Sequence, residues 1–373
     1  MRRRKAFSHM RDVQNLAGLP VDVCSMEQAT ARVIASAEEK TPLFISTPNV
    51  NFLVQSFKDP SFRRSVIASE MSLIDGAPLV LLSRMLGARD ALRVAGSDLF
   101  LALDAQCQTA GRRLKVFFFG GRDGAAQAAH KRYQSAETGI CSVGYHNPGF
   151  GTIADMSTPA IRKTINDAGA DFIIVALGAK KGQEWIMHNR AHLAPPVLCH
   201  LGAVVDFAAG TIAKAPSWIS RIGMEWAWRI GQEPSLWKRY FFDAFGLAGA
   251  FISNGLPALF AAAPPSNGQA TYRLENGRNG SLTLYLSGAF SRQNTQILRK
   301  AFTDLPPNSQ SVSINGADVT HFDPFAQGTL LLLARDFLKE NKSLQLKGFN
   351  NTLMKSLNRN KLIDSLACIT QPL

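Results

Sequence analysis

"LKVFFFGG", residues 114–121, runs directly into "RDGAAQAA", residues 122–129. A β-branched residue and three consecutive phenylalanines read as a strand buried on both faces, and the glycine pair ends it before a stretch at helical spacing begins. The same succession recurs along the chain. "LFISTPNV" (43–50), "DFIIVALG" (171–178) and "VLCHLGAVVDF" (197–207) also read as buried strands. Between the strands lie "NFLVQSFKDPSFRRSVIAS", "SDLFLALDAQCQTAG", "DGAAQAAHKRYQSA" and "TPAIRKTINDAG", all at helical period. Such alternation implies a Rossmann-like parallel α/β sheet with helices on both faces.

Working outward, the chain of 373 residues exceeds the length at which one core keeps growing, so two domains are expected. Residues 1–17 read as a flexible basic tail and residues 18–210 hold the sheet. Residues 211–260 form a helical appendage rich in tryptophan and arginine, and "AAAPPSNGQA" (261–270) breaks the pattern as a linker. Residues 271–373 make a second, smaller α/β domain, with strands in "SLTLYLSG", "SVSINGADV" and "KSLQLKGF" and helices in "SRQNTQILRKAFTDL" and "PFAQGTLLLLARDFLKEN".

A hydrophobic share of 46% with 18% charged residues excludes disorder as the general state. The net charge of +13 points to an anionic partner: nucleic acid, acidic lipid or a phosphorylated substrate. Cys24, Cys107, Cys141, Cys199 and Cys368 are scattered and odd in number, which favours buried thiols over a disulfide framework. No apolar core follows the basic "MRRRKAFSHMRDV", so no secretory signal is read. "FFDAFGLAGAFISNGLPALFAAA" (241–263) is long enough to span a bilayer, but Asp243, Asn254 and Pro257 suit an interfacial or buried segment better.

Ligands of open parallel sheets bind beyond the carboxyl ends of the strands. Thr47 and Asn49 follow one strand end, and for such a pair alone a plain turn with an Asx hydrogen bond is the better explanation. Asp75 in "LIDGAPLV" is either a helix N-cap or a carboxylate in the crevice available as a base. Gly120 and Gly121 admit close approach of a phosphate to a helix start, yet neither GxGxxG nor GxxxxGK[ST] is present. "VALGAKKGQEWI" repeats the strand, glycine, helix pattern at Gly178, with Lys180, Lys181 and Gln183 near the turn. His188 and His192 lack a third metal ligand, and no GxSxG elbow or Cys with a base supports hydrolase chemistry.

In order, "TPNVNFLV", "IDGAPLV", "RVAGSDLF", "VFFFGG", "ADFIIVALGAKKGQEWI", "HLGAVVDFAAGTIAKAPSWI" and "GMEWAWRIGQEPSLWKRY" resemble the WecG/TagA/CpsF family of bacterial glycosyltransferases over roughly residues 18–245. The resemblance implies inverting, metal-independent transfer without a cofactor, from a UDP-sugar to a polyprenyl-pyrophosphate-linked sugar. It implies a peripheral place on the cytoplasmic face of the membrane and a role in exopolysaccharide or other surface glycan synthesis. Asp75 becomes the base, with Thr47 and Asn49 positioning substrate. Gly120, Gly121, Gly178, Gln183, Gly202 and Asp206 fall on the donor side. Arg93 matches an arginine near the pyrophosphates, and Arg221, Arg229, Lys238 and Arg239 suit the lipid pyrophosphate on a membrane-facing appendage. The partners implied are thus small molecules and an anionic membrane surface rather than nucleic acid.

One departure stands out. The family often reads GxPKQExW where this chain has "GAKKGQEW", which puts Lys180 at the proline and Gly182 at the glutamine, with Gln183 one residue along. Residues 271–373 resemble a STAS domain in "LTLYLSGAFS" and "VSINGADVTHFDPFAQGTLLLLARDFL". Pro324, Phe325 and Ala326 follow Asp323 where phosphorylated STAS regulators carry Ser or Thr, so docking of a protein partner is expected rather than a phosphoswitch. The competing readings are a non-catalytic adapter built on a degenerate transferase fold, and an NAD-dependent oxidoreductase resting on "FFFGGRDG" alone, which lacks the glycine fingerprint.

Overall fold

The computed structural model describes residues 11–135, 137–211, 216, 219, 224–259, 269–276, 282–340 and 342–370. A hairpin comes first, β1 (Val13–Leu16) and β2 (Leu19–Asp22), followed by α1 (Met26–Glu39), β3 (Leu43–Ser46), α2 (Val50–Lys58), α3 (Pro60–Ile67) and β4 (Met71–Ser72). Next are α4 (Ala77–Met85), α5 (Gly96–Thr109), β5 (Leu114–Gly120), α6 (Ala125–Gln134), β6 (Ile140–His146) and α7 (Pro159–Asp167). Then come β7 (Phe172–Ala176), α8 (Ala179–Asn189), β8 (Val197–His200) and α9 (Gly202–Ala209). Helices α10 (Glu225–Gln232), α11 (Trp237–Ala250) and α12 (Leu256–Leu259) lead to β9 (Thr271–Asn276), β10 (Leu282–Phe290), α13 (Thr295–Thr303), β11 (Ser311–Phe322), α14 (Pro324–Leu338), β12 (Ser343–Lys347), α15 (Asn351–Arg359) and α16 (Leu362–Thr370).

The main sheet has six strands in the order β4-β3-β8-β7-β5-β6, all pairs parallel. Side chains alternate between its faces, as strand geometry requires. Val116 and Phe118 pack with Leu99, Leu103, Ala126 and Val205 from the helices on one face. Phe117 and Phe119 pack with Ile165, Trp185 and Ile186 on the other. The three phenylalanines therefore serve two cores at once, which is why the run is unbroken rather than alternating.

Two expectations need correcting. Residues 197–207 are not one strand, because β8 stops at His200 and α9 begins at Gly202. Val204, Val205 and Ala208 are buried on that helix, and a short buried helix gives the same apolar run as a buried strand. Residues 11–16 are not tail. Arg11 is buried and its Nη2 lies 2.6 Å from Asp22 Oδ2, so the hairpin is anchored from its first residue. Residues 1–10 and 261–268, called tail and linker, lie outside the described residues.

The C-terminal strands form a four-stranded mixed sheet in the order β12-β11-β10-β9, with β9 antiparallel to β10 and the other pairs parallel. Its core reaches across to Ile67 of α3. The hairpin lies against α14, where Gly328 is obligatory: a Cβ there would sit 2.6 Å from the Val13 carbonyl oxygen. Asn15 Nδ2 donates to Gln327 Oε1 and to the Asn360 carbonyl, both at 3.0 Å, and Asn15 Oδ1 accepts from the Gly18 N–H. Arg335 Nη1 donates to the carbonyls of Ile67 and Ser69.

Because these groups are buried, truncating one leaves its partners desolvated and unpaired. Asn15→Ala is expected to lower the unfolding free energy by about 1–3 kcal/mol. Lys163→Ala, which breaks the exposed Lys163–Asp167 pair, should cost less than about 0.5 kcal/mol. Urea unfolding of both variants checks the difference.

Candidate functional site

The carboxyl edge of the main sheet bears a cavity of about 250 Å³, over the ends of β4, β3, β8 and β7. Each of these strands delivers a residue to its wall. Thr47 follows β3 and is buried, and Asn49 caps α2 by accepting the Phe52 N–H at 3.1 Å. Asp75 follows β4, Gly178 follows β7, and His200 with Gly202 closes β8. Ala95, Gly96 and Ser97 bring the start of α5 to the same wall.

Helices α5, α8 and α9 begin here with no side-chain cap. Their first N–H groups and the positive ends of their dipoles are left for a ligand, the arrangement that binds phosphate. Gly178 caps α8 with a φ of 79°, a left-handed backbone that favours glycine.

Helices α10 and α11 cover the opening and contribute Glu225, Trp228, Arg229 and Arg239. Ion pairs hold α10 near both of its ends. Arg93 lies 2.7 Å from Glu225 and 2.6 Å from Asp98, while Arg122 lies 2.6 Å from Glu233. Helix α11 packs on α2, where Gly246 admits Val54: a Cβ at 246 would meet Val54 Cγ2 at 2.4 Å. Asn51 donates to both carboxylate oxygens of Asp243.

Asp75 does not cap α4, whose N-cap is Gly76, so the capping alternative falls away. Burial pushes its carboxyl up to about 6, with Glu225 and Asp98 adding to the rise and Arg93 and Arg229 opposing it. At neutral pH the group is mostly ionised, yet basic enough to take a proton from a hydroxyl. Carboxylate, uncapped helix ends and arginines together suit proton abstraction coupled to departure of a phosphate leaving group.

Of the residues picked from sequence, Thr47, Asn49, Asp75, Gly178, Gly202, Arg229 and Arg239 line this one cavity. The others do not. At Gly120, with φ 82°, a Cβ would lie 2.7 Å from the Ala176 carbonyl, and at Gly121 3.0 Å from Val205 Cγ1. That pair lets strands and helix approach rather than a ligand. Gln183 is fully buried and its Oε1 accepts from Ser46 Oγ at 3.2 Å, away from the cavity wall. Asp206 is buried on α9 with Arg122 Nε 3.9 Å away, and the expected turn there is helix. Arg93 acts through Glu225 and Asp98, and Lys238 is exposed outside the wall. Arg221 lies outside the described residues. Lys180 is paired with Asp59 at 2.6 Å and Lys181 donates to the Gly151 carbonyl. Sequence reasoning missed His200, Asn51, Ser97 and Glu225. Among the described residues no group of three His, Cys, Asp or Glu side chains could hold a metal ion.

The family model for WecG/TagA/CpsF glycosyl transferases matches residues 14–258. The chain belongs to that family. The match covers the whole cavity, including α10 and α11, and makes the chain a glycosyltransferase. It is 31% identical over 203 residues to the N-acetylglucosaminyldiphosphoundecaprenol N-acetyl-beta-D-mannosaminyltransferase of Bacillus subtilis (strain 168), covering 54% of this chain and 76% of that one. Identity to the enzyme of the same name from Bacillus spizizenii is 29% over 197 residues, covering 52% and 74%.

Glu225 sits close enough to Asp75 to raise its pKa. Glu225→Gln removes that negative neighbour, so the Asp75 carboxyl should titrate at lower pH, as read from its carbon chemical shift against pH. An unchanged or higher midpoint would contradict the arrangement.

Proposed function

We propose that this glycosyltransferase moves a sugar from a UDP-sugar to a polyprenyl-diphosphate-linked saccharide at the cytoplasmic face of the membrane, in surface glycan synthesis. The observation that carries the reading is one cavity lined by both Asp75 and uncapped helix starts in a chain of this family. The names of the two Bacillus relatives favour an N-acetylglucosaminyl acceptor and an N-acetylmannosaminyl donor as the first pair to try.

In the reaction the acceptor hydroxyl oxygen attacks the anomeric carbon from the face opposite UDP. The new glycosidic bond forms as the bond to the diphosphate oxygen breaks, and Asp75 takes the hydroxyl proton. Inversion follows from the single displacement. The charge that builds on the departing UDP is met by the N–H groups opening α8 and α9 and by Arg229. Arg239, exposed on the same wall, is assigned to the acceptor's diphosphate.

The appendage supports docking on a membrane. Trp237, Phe241, Phe245 and Ile252 are exposed along α11 and the turn after it, with Phe245 and Ile252 at 65%. Their spacing of four, four and seven residues sets them on one helical stripe. Trp226 is exposed on α10, and Lys238 flanks the stripe, the mixture of aromatic rings and cation that an anionic interface attracts. Among the described residues no helix is long and apolar enough to cross a membrane. The residues from 271 onward read as a STAS-like docking module for a protein partner.

Asp75→Asn is expected to reduce acceptor-dependent UDP release by about a hundredfold or more while leaving UDP binding in place. Because the base must be ionised, wild-type kcat/KM should rise with pH through about 6 and then level. A fully active Asn variant, or a rate flat from pH 5 to 8, would remove Asp75 from the role. Phe241→Ser with Phe245→Ser should weaken co-sedimentation with vesicles of anionic phospholipid without altering UDP affinity.

A further inference from the structure

The end of β8 holds a side chain that nothing above employs. His200 forms part of the cavity wall, is 7% exposed, and has a buried Nε2 without a hydrogen-bond partner. Its ring is wedged between two helix starts. A Cβ built at Gly182 would lie 2.2 Å from His200 Cδ2, and one at Gly202 would lie 3.4 Å from Nε2. Phe52 closes another side, with ring centroids 6.3 Å apart.

Gly182 is the fourth residue of α8, a helix interior where glycine is disfavoured relative to alanine. The imidazole explains it, since no side chain at 182 leaves room for the ring. The two residues share one space: the chain omits a side chain on α8 and fills the gap from β8. Gln183 does not take that place, because it turns to Ser46.

Burial lowers the His200 pKa to about 4, so the ring is neutral and keeps one N–H to donate and one nitrogen to accept. A desolvated polar group with no partner is costly to maintain, and it stands beside two uncapped helix starts. These are the elements to which the donor's diphosphate has been assigned.

We propose that His200 is a donor-binding residue, its imidazole hydrogen-bonding the diphosphate of a nucleoside-diphosphate sugar, and that Gly182 exists to admit it. The proposal rests on the UDP-donor reading above. It adds a neutral contact to the helix dipoles and arginines.

The test is titration of the full-length protein with UDP by calorimetry, with KM and kcat for the donor measured alongside. His200→Ala and His200→Phe remove the hydrogen-bonding group without and with the ring's bulk. Both should weaken UDP binding roughly ten- to a hundredfold and raise the donor KM more than they lower kcat. His200→Gln, which keeps a neutral amide, should stay within about fivefold of wild type. Gly182→Ala should weaken UDP binding in the wild-type background by displacing the ring, and should add nothing in the His200→Ala background. If His200→Ala binds UDP like wild type, the contact does not exist. If the two losses add fully, the shared space is not what couples the positions. Should the wild-type chain itself bind no UDP, the donor reading fails first and takes this proposal with it. Binding by wild type and equally by His200→Ala sinks this proposal alone.

Discussion

A parallel sheet sends the carboxyl ends of all its strands to one edge, and the helices that follow begin there with their N–H groups unsatisfied. Everything about this site depends on those groups being left so. Helices α5, α8 and α9 start at the cavity without a side-chain cap, while Asn49 caps α2 and still lines the wall. Those three bare ends concentrate positive potential where a diphosphate can meet it. That choice sacrifices some helix stability, about 1 kcal/mol for a typical missing cap.

Charge in the rest of the site is arranged around that potential. Asp75 is raised by burial and by two acidic neighbours, and those neighbours are shared with Arg93, which ties α10 to the start of α5. One arginine thus moderates the base and holds the cover. Past the cover, α11 turns Asp243 inward to Asn51 and its aromatic side chains outward. The same helix is a wall on one side and an apolar surface on the other.

The architecture was legible because strands buried on both faces leave unbroken apolar runs, and because Asp75, Thr47 and Gly178 stand at the ends of such runs. The limits were also physical. Gly120 and Gly121 look in sequence like glycines that admit a ligand, but their missing side chains admit Ala176 and Val205. A glycine records only that something comes close. His200 was hidden because β8 and α9 join into one apolar stretch, so the strand end where a polar residue would attract notice fell inside an assumed strand. Glu225 and Asn51 carry no local signal, since their roles arise from contacts with residues far along the chain.

The hairpin at the start of the fold completes its hydrogen bonds with residues made near the end. Asn15 is satisfied by Gln327 and by the Asn360 carbonyl, separations of 312 and 345 residues. During synthesis at the ribosome the main sheet emerges whole while Asn15 still lacks these two partners, and the loop to be closed is nearly the length of the chain. The C-terminal unit therefore acts on the order of assembly: until it arrives, the first strands have their contacts with Ser69, Ser72 and Ser83, while the buried Asn15 amide waits for the last helices.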